Sequence, residues 1–186
     1  MKQLILLVVF AFLLCSCAQD PFVRQPVQPV QLPSPQPEIK FVCQKINSAP
    51  VRTRQQYDDY YGTMITGDTA SLRTPGGNYR WGIKNSSPLS MAYFASYIKS
   101  AGKYNYFKTT IYIDGGIKAP MIFLVRNGDR NGEVLKSVTV NPGQTQEINV
   151  GIAGVNRIYI GSELRINHDK AEKIVLGEPE LYNCKK

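Results

Sequence analysis

The sequence predicts an all-β fold, a jelly-roll β-sandwich of about eight or nine strands, in residues 39–186. Short runs rich in β-branched and aromatic residues recur through this region, separated by Gly, Asn, Asp and Pro clusters, which is the pattern of strands joined by turns. No long stretch carries a helical period. Two cysteines, Cys43 and Cys184, stand at the ends of the region. Paired, they would make the first and last strands neighbours, as a jelly roll requires.

Ile39–Ile46 reads as the first strand. Residues 47–78 are less regular, with a short helix expected around Arg54–Tyr61 and a turn at Pro75-Gly76-Gly77. Tyr79–Ile83 is a short aromatic strand. Met91–Lys99 has apolar positions that fit a helix face, but its aromatic content and flanking turns favour a strand. Phe107–Ile113 alternates, with Phe107, Thr109, Ile111 and Ile113 on one face. Met121–Arg126 is continuously apolar up to its terminal arginine, as a strand covered on both faces would be. A turn at 127–132 leads to Val134–Val140, Asn141-Pro142-Gly143 leads to Gln146–Val150, and a turn at 151–154 leads to Arg157–Ile160. After an irregular stretch around His168–Gly177, Glu180–Cys184 is the last strand.

The first 38 residues have a different character. Lys2 precedes an apolar run, Leu4–Leu14, far short of the about 20 residues that span a bilayer but suited to a secretory signal. The run ends in Leu14-Cys15-Ser16-Cys17. A branched residue, a tolerant position, a small residue and then Cys match a bacterial lipoprotein signal, so residues 1–16 are expected to be removed and Cys17 acylated. Two or more acyl chains hold a protein stably on a membrane. Ala18 follows Cys17 where an Asp would mark inner-membrane retention, so the expected address is the outer membrane. Residues 17–38 form a tether carrying Pro21, Pro26, Pro29, Pro33, Pro35 and Pro37. At about 3.1 Å per residue such a linker reaches roughly 65 Å if fully extended as polyproline.

An exported chain permits disulfides, so Cys43 and Cys184 are expected to pair. A loop of about 140 residues is worth roughly 5 kcal/mol in the chain-entropy account. The net charge is +8. In an envelope compartment a basic surface points to anionic glycans, headgroups or acidic proteins, and export argues against nucleic acid.

Candidate site residues are few. Trp81 is the one tryptophan, and with Tyr79 and Arg80 it could form a sugar-stacking platform; the alternative is a core tryptophan. The run Tyr57-Asp58-Asp59-Tyr60-Tyr61 offers aromatics and two carboxylates for a sugar, or for a structural Ca²⁺, which prefers clustered oxygens. A solvated loop or a packed aromatic lid is the plainer reading. Asp114, ahead of two glycines, is either a ligand group or a turn former. No metal-ligand spacing, serine elbow or phosphate loop is present, so neither an enzyme nor a cofactor is expected.

Several of these motifs together resemble a known family. Tyr79-Arg80-Trp81-Gly82-Ile83 fits a "Y-x-x-G-I" strand. Gly102–Phe107 followed by Ile111–Asp114 fits "G-x-Y-x-x-F" and its continuation, and Glu178-Pro179-Glu180-Leu181-Tyr182 fits a terminal "D-P-x-L" strand. The region Gly77–Asn183 is similar to the carbohydrate-binding module called NPCBM, a galactose-binding-like jelly roll often found beside glycoside hydrolases. That resemblance implies non-catalytic glycan binding. The family usually carries an aspartate and a tryptophan shortly before its last strand. Asn167-His168-Asp169 keeps the acid, so Asp169 is implied at a ligand-binding edge, and Ile174 or Val175 stands in the aromatic position. The expected function is thus an outer-membrane lipoprotein recognising a glycan. The alternative is a structural subunit of an envelope complex, such as secretion or pilus machinery, that uses the same domain for protein contacts.

Overall fold

The computed structural model describes residues 43–60, 62–86, 94–163 and 173–185, apart from the side chains of Asp59 and Tyr60. The strands are β1 (Gln44–Pro50), β2 (Tyr57–Tyr60), β3 (Thr63–Thr66), β4 (Arg73–Thr74), β5 (Gly77–Asn78), β6 (Gly82–Asn85) and β7 (Ala95–Lys99). They continue as β8 (Tyr106–Ile113), β9 (Met121–Asn127), β10 (Val134–Val140), β11 (Thr145–Gly151), β12 (Arg157–Ser162) and β13 (Ile174–Lys185). One sheet has the order β11-β8-β13-β6-β3, with β1 also paired to β13; the other has β10-β9-β12-β7-β2, and β4 and β5 form a small ribbon. From β6 to β13 each sheet takes four strands, and the last lies beside the first. This is the jelly-roll arrangement of two Greek keys, as the sequence predicts.

The core lies between the two sheets because alternate residues of each strand point inward. On β8 the core-facing buried set is Phe107, Thr109, Ile111 and Ile113, the face that alternation assigns. Phe94 and Phe123 meet edge-on across the core, with centroids 6.1 Å apart, and Ile83, Ile98, Ile148, Ile158 and Ile160 surround the same interior. Each such side chain contributes about 1.5–3 kcal/mol on burial.

Cys43 and Cys184 are bonded, with Cα atoms 5.2 Å apart. Strand β1 runs antiparallel to the far end of β13, Lys45 opposite Cys184 and Pro50 opposite Glu180. The ends of the domain therefore meet as the cysteine pairing implies.

Four local expectations are corrected. Residues 54–61 hold no helix where described: a turn at 53–56 delivers Tyr57 into β2, which pairs with β7. The ladder and the burial of Tyr57 outweigh local helix preference. The first strand is Gln44–Pro50, later than Ile39–Ile46, of which residues 39–42 lie outside the described set. Tyr79–Trp81 are not ladder residues; the strand begins at Gly82, because Tyr79 turns away to pack on β13. The last strand begins at Ile174, twelve residues long, because Ile174, Val175 and Leu176 pair with β8 before a bulge between Gly177 and Glu180. Strand β3 was not anticipated.

A second apolar cluster sits on the outer face of the β13 sheet. Val175 and Tyr112, pointing away from the main core, are covered by Leu72 and Tyr79. The segment carrying the β4–β5 ribbon thus folds back across the sheet and raises one wall of the site described next.

Candidate functional site

Beside that wall the outer sheet face holds a pocket of about 300 Å³. Its floor is Thr110 of β8 and Gly177 of β13. Gly177 is required there: a Cβ on it would lie 2.4 Å from the ring of Tyr79, so glycine lets the tyrosine lie flat against the strand. Glu147 of β11 and Lys108 of β8 line one side, and Glu180 of β13 with Lys45 of β1 the other. Arg80, Trp81 and Glu178 complete the rim. The sequence singles out Tyr79, Arg80 and Trp81; the fold gathers them here with four ion-paired residues that it did not single out, Lys45, Lys108, Glu178 and Glu180.

The charges are arranged in pairs. Glu180 receives a hydrogen bond from the Lys45 ammonium, and Lys108 lies 3.8 Å from the same oxygen. Burial opposes the charge on Glu180, but hydrogen bonds from Lys45 and Ser48 and the nearby positive charges outweigh it, holding the carboxyl below its usual range. Burial likewise opposes the charge on Lys45, and its bond to Glu180 raises its pKa. A general acid needs the opposite, a carboxyl with a raised pKa. Glu180 is therefore built to stay ionised.

Glu178 is held unusually. Its φ is 47°, a left-handed backbone on a non-glycine residue, a conformation costing about 1–3 kcal/mol that concentrates at functional positions. The conformation turns its carboxylate to accept from the Arg80 backbone N–H at 3.2 Å and from Arg80 Nε at 3.0 Å. The Glu178 backbone N–H donates to the Trp81 carbonyl at 3.0 Å.

Trp81 is only 8% exposed, yet it belongs to neither apolar cluster. Its Nε1 donates to the Pro179 carbonyl at 3.2 Å. The Arg52 guanidinium lies 3.9 Å from its ring centroid and that of Arg80 5.0 Å. The tryptophan is thus no open platform: it is buried, as the core alternative expects, and two guanidinium groups lie against its ring. Tyr79 is 9% exposed, and its hydroxyl is buried with no hydrogen-bond partner among the described residues.

The remaining candidates lie elsewhere. Tyr57 is 3% exposed and faces the core, its hydroxyl 2.6 Å from Thr63 Oγ1; it offers no surface to a ligand. Asp58 is paired with Lys99 at 2.7 Å, and the side chain of Tyr60 is outside the described set. Asp114 is a turn former, its Oδ1 accepting from the Gly116 N–H at 2.9 Å. Asp169 and Cys17 lie outside the described residues. Among the described residues no group of three or more His, Cys, Asp or Glu is placed to hold a metal ion.

No protein-family model matches the chain, and no curated protein matches it. Solved structures do. The K1 cleaved adhesin domain of Lys-gingipain from Porphyromonas gingivalis W83 aligns with a TM-score of 0.51 at 11% identity, over 75% of this chain and 98% of that one. A CBM51 from Clostridium perfringens GH95, solved with methyl-galactose, aligns with a TM-score of 0.47 at 18% identity, over 73% and 99%. A chain of Clostridium perfringens ZmpB, carrying an M60 catalytic domain with CBM51-1 and CBM51-2, aligns with a TM-score of 0.44 at 16% identity, over 59% of this chain but only 11% of its own. The adhesin match supports the β-sandwich fold described above.

Proposed function

We propose that this chain is a lipid-anchored, non-catalytic recognition module of the bacterial outer membrane whose sheet-face pocket binds a glycan. The observation that carries the reading is the pocket lining. Its three cations and three carboxylates balance, and Tyr79 and Trp81 supply aromatic surface beside them. Ligand pockets combine such surface with a few convergent polar groups, and paired ammonium and carboxylate groups offer donors and acceptors to a ring rich in hydroxyls. The volume is at the small end of the roughly 300–1,000 Å³ range of ligand pockets, which suits one or two sugar residues. The CBM51 aligned above was solved with methyl-galactose, which agrees with this reading. Acylation of Cys17 would hold the module on the membrane, and the proline tether would lift it clear.

Two experiments test the proposal. Residues 18–186, exported behind a signal that is not lipidated, are screened on an array of envelope and surface glycans; saturable binding is expected, and none above background would reject the glycan reading. Metabolic labelling with a fatty-acid analogue should mark the full chain and not Cys17→Ser. An exposed outer strand favours a second reading: among the described residues β10 pairs on one edge only, with β9, and Val134 on it is 44% exposed. Edge strands offer unpaired backbone groups to other chains, as an assembly subunit would need. Co-purification with a stable envelope complex, alongside a blank glycan array, would favour that role.

A further inference from the structure

We infer that Arg52 and Arg80 form a displaceable cover on Trp81, and that a sugar ring takes their place against the indole while Glu178 exchanges Arg80 for sugar hydroxyls. This rests on the glycan reading and deepens it, assigning to Arg52, Arg80 and Glu178 the control of which ligands reach the aromatic surface.

The inference begins with how Trp81 is buried. It belongs to neither apolar cluster, and two guanidinium groups stack on it. Guanidinium groups on an aromatic face are held by modest attractions and remain partly hydrated. The Arg80 side chain is 74% exposed and joined to Glu178 at 3.0 Å, and exposed pairs of this kind contribute little. The cover is therefore weakly held, whereas the indole beneath is fixed by its bond to the Pro179 carbonyl, which also accepts from the Val51 N–H.

What lies under and beside the cover is built for a partner. Tyr79 lines the same pocket, and its hydroxyl is buried without a hydrogen-bond partner among the described residues, a cost that folded proteins ordinarily avoid. Glu178 keeps a left-handed backbone while its carboxylate holds Arg80. When Arg80 leaves, that carboxylate is free at the rim beside Glu180, Lys45 and Trp81. A pyranose presents an apolar C–H face to an indole and hydroxyls to carboxylates around its edge. It thus replaces both contacts that Arg80 makes, the cation–π contact and the ion pair. A simple anion would instead strengthen the arginine layer and leave Trp81 covered.

Because Trp81 is the only tryptophan, its fluorescence reads the cover directly. Acrylamide quenching of the unliganded protein should increase in Arg52→Ala and Arg80→Ala, and most in the double variant, with far-UV circular dichroism unchanged. A glycan found to bind should shift the Trp81 emission and bind each single variant roughly 2- to 5-fold tighter, since one cation–π contact no longer has to be broken. Glu178→Gln should weaken binding while also exposing Trp81. Quenching unaltered in the double variant would overturn the cover whether or not a sugar binds. A glycan that binds without moving the emission, with equal affinity for wild type and both arginine variants, would overturn the exchange and leave the glycan reading standing. Raised quenching with no glycan bound by wild type or double variant would reject the glycan reading, and the exchange with it.

Discussion

Tyr57 and Tyr79 are both almost fully buried, at 3% and 9% exposure, yet their hydroxyls are in opposite circumstances. Tyr57 points between the sheets, where Thr63 Oγ1 meets its hydroxyl at 2.6 Å, and Thr63 in turn donates to the Ala95 carbonyl and accepts from Ser96. Tyr79 lies on the outer face of the β13 sheet, flat on Gly177, and its hydroxyl has no partner among the described residues. The contrast separates two uses of a buried aromatic. Among the described residues every other buried side-chain polar atom is matched, because an unmatched one costs about 1–3 kcal/mol. The Tyr79 hydroxyl is left unmatched, on a residue that lines the same pocket as the paired charges and Glu178. Burial alone does not distinguish structure from function; the state of the buried polar atom does.

The contrast can be broken deliberately. The largest effect is expected from Gly177→Ala. Its Cβ would collide with the Tyr79 ring, so the ring must move; a loss of about 1–3 kcal/mol is predicted from overpacking, measured by urea denaturation, together with loss of glycan binding. Next is the pH dependence set by Glu180. Its carboxyl titrates below the usual range in the folded domain, so its contribution is present above the ordinary carboxylate pKa of about 4.3 and fades as pH falls below it. Glu180→Gln should therefore flatten the acid limb of the melting-temperature profile and leave Lys45 and Lys108 without their shared acid. A smaller effect is expected for Tyr57→Phe, which should cost roughly 1 kcal/mol by deleting one core hydrogen bond. The smallest belongs to Tyr79→Phe, whose melting temperature should match or slightly exceed wild type, since the hydroxyl removed has no partner among the described residues to lose. Its glycan affinity should nevertheless fall. Equal losses of stability in the two tyrosine variants would erase the distinction.

The sandwich was legible wherever the chain writes its pairing locally. Phe107–Ile113 alternates cleanly and Met121–Arg126 is apolar up to its terminal arginine, and both are strands as those patterns imply. Cysteines at the two ends foretold the pairing of β1 with β13. The parts that were missed are fixed by distant partners. Strand β2 has four residues and owes its conformation to β7, and the first turn of β13 is recognisable only beside β8. The pocket is harder still. Lys45 and Glu180 are 135 residues apart and Arg80 and Glu178 are 98 apart, so no window of sequence contains them together. One local signal was present: Gly177, ahead of Glu178-Pro179-Glu180, marks a strand position where something must come close. Read that way, it would have directed attention to this face of the sheet.

The position of a bound sugar tests the account most directly. The domain crystallised with whichever array glycan binds most tightly should show a sugar ring on the outer face of the β13 sheet, stacked on Trp81, with hydroxyls on Glu178 and the Tyr79 hydroxyl and with Arg80 turned away. A sugar seated elsewhere on the domain, with Arg52 and Arg80 still covering Trp81, would contradict it.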